Sequence, residues 1–165
     1  MELSVKPIML IVTILTTGLT AGLCFTWGNA VTPGIGKLGN LAYLQAFQEM
    51  NRSILNPVFF LVFLGPVILN IANLIVFRSA SKPVLYLLIG ATVVYFIGLF
   101  LVTVLGNVPL NEILDKTDLL SASTEELVQF RERFEKPWNS FHRVRLWSSL
   151  LSFLLVTIAL LMAAK

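Results

Sequence analysis

Residues 84–105 read "VLYLLIGATVVYFIGLFLVTVL", twenty-two positions without one charged side chain. As a helix that run is long enough to cross a hydrocarbon core about 30 Å thick, which takes roughly 20 apolar residues. Polar and apolar residues do not alternate along it, so it does not read as a strand of a membrane barrel. Three further runs share its character, at about 7–31, 57–77 and 139–164. The expected fold is all-α: a four-helix transmembrane bundle, forming a single membrane domain over 1–165. Alternation of the spans puts the extramembrane segments 32–56 and 106–138 on one face.

Composition agrees. The chain is 56% hydrophobic and only 13% charged, with a mean hydropathy of +0.84, whereas about a quarter of a soluble domain is charged. The first run follows Lys6 and contains small residues, as a secretory signal does. It is longer than a signal core and three more spans follow, so it reads as a retained helix. The single cysteine, Cys24, lies within it and has no second cysteine to pair with. A net charge of +3 spread over loops forms no patch for nucleic acid.

Outward from the spans, the connections carry turn and cap signals. Pro33, Gly34, Gly36 and Gly39 mark a turn after the first span. Leu41, Leu44, Phe47, Met50, Ile54 and Leu55 recur at helical spacing, describing an amphipathic helix that lies at the interface or tucks over the bundle mouth. Asn56-Pro57 opens the second span, and Pro66 is expected to kink it. Gly106 and Pro109 are expected to end the third. A water-exposed helix then starts at Ser123 or Thr124, with Glu125 and Glu126 suiting its positive end, and Pro137 is expected to separate it from the last span. Lys6, Arg78, Lys82 and Lys165 share the face of both termini almost without acids, which points to cytoplasmic termini in a plasma (inner) membrane.

The remaining polar residues converge at one end. Asn29 closes the first span, Asn51, Arg52 and Asn56 lead into the second, Asn107 and Asn111 follow the third, and Asn139, His142 and Arg145 open the fourth. Trp138, His142, Arg145 and Ser149 step by four, three and four, so they share a helix face. An arginine inside a span costs at least ~2.5 kcal/mol by insertion scales and normally faces the bundle interior or a wet cavity. Asn56 beside Pro57 and Asn107 before a turn also fit plain capping, and Asn70 and Asn73 read as glue between helices.

A lone histidine does not build a zinc cage, and no set of inward carboxylates replaces the missing ligands. No cofactor is expected; haem on His142 as a single axial ligand is the one alternative kept open. A mouth lined by His142, Arg145, asparagine amides and the aromatics Phe25, Trp27, Trp138 and Phe141 suits a flat lipophilic ligand arriving from the bilayer. His142 is the candidate general base and Arg145 the candidate oxyanion partner. Asn51, Asn56, Asn107, Asn111, Trp138 and Asn139 are the candidate substrate-binding residues. A non-catalytic binder or carrier of a hydrophobic molecule, and a structural membrane subunit, are the competing readings. An oligomer is compatible with all of them.

Four motifs in order, "AGLCFTWGNAVTPG" (21–34), "FQEMNRSILNPVF" (47–59), "GNVPLNEIL" (106–114) and "WNSFHRVR" (138–145), resemble the anthrone oxygenase-like family of small four-span membrane proteins. The resemblance covers most of the chain. It implies an activity found in some fungal relatives, the oxidation of polyketide anthrones to anthraquinones by molecular oxygen without an established cofactor. It carries onto this sequence Asn51, Asn56, Asn107, Asn111, Trp138, His142 and Arg145.

Overall fold

A computed structural model describes residues 5–164, which form five helices and no strand. We number them α1 (Val5–Ile35), α2 (Asn40–Ile54), α3 (Pro57–Val76), α4 (Lys82–Lys116) and α5 (Thr124–Ala163). All except α2 are long and apolar enough to cross a membrane. The four-span bundle is therefore as expected, but three of the four helices, α1, α4 and α5, are longer than the spans expected. At 1.5 Å per residue, the 40 residues of α5 extend about 60 Å, twice a hydrocarbon core. One end of the bundle thus stands clear of the spanning layer, and α2 packs there.

Three expected breaks are absent. Helix α1 continues through Pro33, α4 through Gly106 and Pro109, and α5 through Pro137. Pro33 and Pro109 each follow a wider π-helical turn, Trp27–Val31 and Thr103–Asn107 respectively. Such a turn displaces the carbonyl against which the proline ring would press, so the helix absorbs it. Pro137 stays helical between Phe134 and Trp138, both buried in one aromatic cluster. Pro66 lies within α3 and removes the donor that Val62 O would have met. The Thr20 hydroxyl of α1 donates to that carbonyl at 2.9 Å, and Tyr95 donates to the next one, Phe63 O, at 2.8 Å.

At the end nearest the termini, Leu10, Leu88, Ala91, Val156 and Ala159 pack into one buried cluster. Asn73 donates to the Thr13 hydroxyl at 2.8 Å, tying α3 to α1 as expected. Asn70 differs: its amide donates to Pro66 O of its own helix at 2.8 Å.

The opposite end is a folded cap. Helix α2 buries Tyr43, Leu44 and Phe47 against Leu114, Phe134 and Trp138, so it covers the bundle mouth. Gln48 of α2 donates to Leu114 O at 2.7 Å and Thr117 O at 3.1 Å, satisfying carbonyls at the end of α4. Arg131 of α5 clamps the α1–α2 link. Its Nε donates to Glu135 at 2.7 Å, its Nη1 to Leu38 O and Asn40 Oδ1, and its Nη2 to Gly36 O. The guanidinium also lies 4.1 Å from the Tyr43 ring centroid. Burial pushes the Tyr43 phenol up, Glu135 adds to the push and Arg131 opposes it, so the group stays protonated at neutral pH. As expected, Ser123 starts α5 with a reciprocal capping box to Glu126.

Candidate functional site

Beneath the cap the helices enclose a hollow of about 460 Å³, within the range of small-molecule sites. Phe59 and Phe63 of α3 and Leu99 and Phe100 of α4 form its apolar wall. Trp138, His142 and Arg145 supply the polar side from one face of α5, as their spacing requires. Toward water, Arg52 of α2 donates to Asp115 of α4 at 2.7 Å across the mouth.

The two central residues are joined to each other. A guanidinium only donates, so His142 Nδ1 accepts from Arg145 Nη2, at 2.9 Å. The hydrogen then belongs on Nε2, which donates to Cys24 O of α1 at 3.0 Å. The ring is buried and stacks on Trp138 with centroids 5.2 Å apart and planes inclined by 14°. Gly28 makes this approach feasible, because a Cβ there would sit 3.2 Å from His142 Nε2.

Arg145 is held on one side only. Its Cζ lies 5.1 Å from the Trp138 ring centroid, and its Nη1 makes a long 3.5 Å contact to the Thr103 hydroxyl. Its Nε is buried without an acceptor. Among the described residues no carboxylate pairs with it. A charge inside a span without a counter-ion from its own chain is the unusual feature here. The buried N–H groups of Trp27 Nε1 and Asn51 Nδ2, both on residues lining the same hollow, also lack acceptors.

The other candidates divide. Asn111 lines the hollow but its Oδ1 accepts from Trp138 Nε1 at 2.8 Å, and Asn107, buried behind, donates to Trp138 O at 3.2 Å. Those two amides hold the tryptophan on which His142 and Arg145 rest. Asn56 lies apart and caps α3, accepting from Phe59 N at 3.0 Å. Asn139 is half-buried and does not line the hollow. Phe25 and Phe141 are exposed on the bundle surface and are not part of the mouth; Phe141 lies over Gly106, where a Cβ would come within 2.8 Å of the ring. The Cys24 carbonyl and Thr103 escaped sequence reasoning. Gly28 is the one signal for the first of these, since glycine within a span lets His142 approach α1 closely.

Among the described residues no three His, Cys, Asp or Glu side chains come together to hold a metal ion. In this arrangement His142 offers a haem iron no free lone pair, because both ring nitrogens are engaged.

Fold and hollow together define a four-span membrane protein with a largely apolar pocket, polar on one side, beneath one face. The family model for Anthrone oxygenase matches residues 22–155, and the chain belongs to that family. No curated protein and no solved structure matches it.

Proposed function

We propose that the hollow takes a lipophilic phenolic or anthrone-like aromatic and promotes its oxidation by molecular oxygen, with no cofactor. The observation that carries this reading is Arg145, a guanidinium lining an apolar cavity with no carboxylate of the described chain to neutralise it. Such a group stabilises an enolate or phenolate oxygen far more strongly than water does. The anion is the electron-rich form that reacts with oxygen. With O₂, the activated CH₂ of an anthrone, or the ring C–H and O–H of a phenol, gives a new C=O and water: one oxygen atom stays on carbon, and the other leaves with both hydrogens.

His142 has two parts in this reading. At rest it orients Arg145 through Nδ1 and is itself fixed by Cys24 O. A bound oxygen that draws the guanidinium toward itself releases the Nδ1 lone pair, which then takes the proton. The termini face the cytoplasm and the membrane is the plasma (inner) membrane, following the bias of Lys6, Arg78, Lys82 and Lys165.

The engagement of both imidazole nitrogens favours one competing reading, a binder that moves no proton. Oxygen uptake with an anthrone, measured on the purified protein in lipid, separates the two. His142→Ala is expected to lower turnover about a hundredfold or more while affinity changes little. His142→Gln, which keeps an acceptor for Arg145 but no base, is expected to be as inactive. Full turnover in His142→Gln would remove the base and leave only an orienting role; no uptake by the wild type would leave the binder.

A further inference from the structure

The hollow has an open side, and that side faces lipid. Its lining includes Phe60 and Leu64 of α3 and Val104 of α4, which are also 44%, 38% and 41% exposed on the outer surface of the bundle. Helix α3 packs against the first turns of α4 and draws away from it toward the site. The seam between them therefore parts where the pocket lies. Further along the same seam is a second cleft of about 220 Å³, lined by Pro66, Val67 and Ile71 of α3 and by Val93, Phe96 and Ile97 of α4. From Leu64 to Ile71 it carries the track about 10 Å further into the bilayer, at 1.5 Å per residue. Between the two hollows stand the Phe63–Phe100 contact, with centroids 6.0 Å apart, and, on the inner side, the bond from Tyr95 to Phe63 O.

We infer that the ligand is a membrane-resident phenol carrying an alkyl tail, with its oxygen at Arg145 and its tail leaving between α3 and α4 along the second cleft. This rests on the proposed placement of an oxygen at Arg145 but adds a substrate class and a route. A purely flat polycycle uses the first hollow and leaves the second without a role. A tail moving from lipid into an apolar cleft gains little, because lipid chains are as apolar as the cleft. An open seam therefore shows itself as tolerance of the tail, not as tighter binding.

The test is binding, read by quenching of tryptophan fluorescence in vesicles, with phenols bearing methyl, pentyl, nonyl and dodecyl tails. Affinities are expressed per mole fraction in the membrane. The four are expected to agree within about fivefold. A closed pocket rejects the longer tails by a hundredfold or more, and that result overturns the inference. Leu64→Trp and Val104→Trp, both at lipid-facing positions, are expected to weaken the dodecyl compound at least tenfold more than the methyl one. Equal weakening of both overturns the route. Should either variant fail to fold, the wild-type series still decides. Tail tolerance without oxygen uptake sinks the proposed oxidation alone, whereas uptake with tail rejection sinks this inference alone.

Discussion

Two arginines of α5, about four turns apart, show how differently one side chain is used in the cap and in the pocket. Arg131 has every donor nitrogen occupied, by Glu135, two backbone carbonyls and Asn40, with the Tyr43 ring beside it. Arg145 has one short bond, to His142, an idle Nε and no carboxylate. The first is a finished structural clamp. The second has a buried donor without an acceptor and no carboxylate partner among the described residues. What distinguishes structure from site is thus the count of satisfied donors, since both residues sit on the same helix and touch aromatic rings.

Exchange of each arginine for methionine sharpens that contrast most. Arg145→Met is expected to lower turnover about a hundred- to a thousandfold, as loss of an oxyanion donor does. Its thermal midpoint is expected to hold or rise, because an unpaired charge is replaced by a hydrophobe. Arg131→Met is expected to do the reverse, destabilising the cap by about 3 kcal/mol through stranded carbonyls and Glu135. Thermal unfolding in detergent and oxygen uptake on both variants measure the pair; a large stability loss in Arg145→Met would break the comparison.

A smaller effect is expected at the tight end. Asn73→Val removes the bond to Thr13 and is expected to cost about 1 kcal/mol with ligand affinity unchanged. The smallest concerns Asn56, which the sequence offers both as a substrate contact and as a cap, and which caps α3. Asn56→Ala is expected to cost at most about 1 kcal/mol, and Asn56→Asp less, neither altering affinity. A marked loss of binding in Asn56→Asp would return that residue to the site.

Much of this was legible beforehand. The apolar runs gave four spans, the period of Leu44 and Phe47 gave α2, and the steps from Trp138 to Arg145 gave one face. Pro33, Pro109 and Pro137 look like breaks in sequence, but a proline's effect depends on whether a π-helical turn or a packed neighbour absorbs it. Phe25 and Phe141 look no different in sequence from Trp27 and Phe63, which line the hollow.

Sequence alone determined which segments cross the membrane, since length and apolar content are local properties set against a bilayer of fixed thickness. It also determined which polar residues collect at one end, because alternating spans leave no other arrangement. Only tertiary structure decided what each polar group meets: Asn111 a tryptophan, His142 a carbonyl and a guanidinium, Arg131 a complete set, Arg145 an imidazole and, among the described residues, no carboxylate. Partners come from distant parts of the chain, and a hydrogen bond of about 3 Å is too short-ranged for residue order to specify.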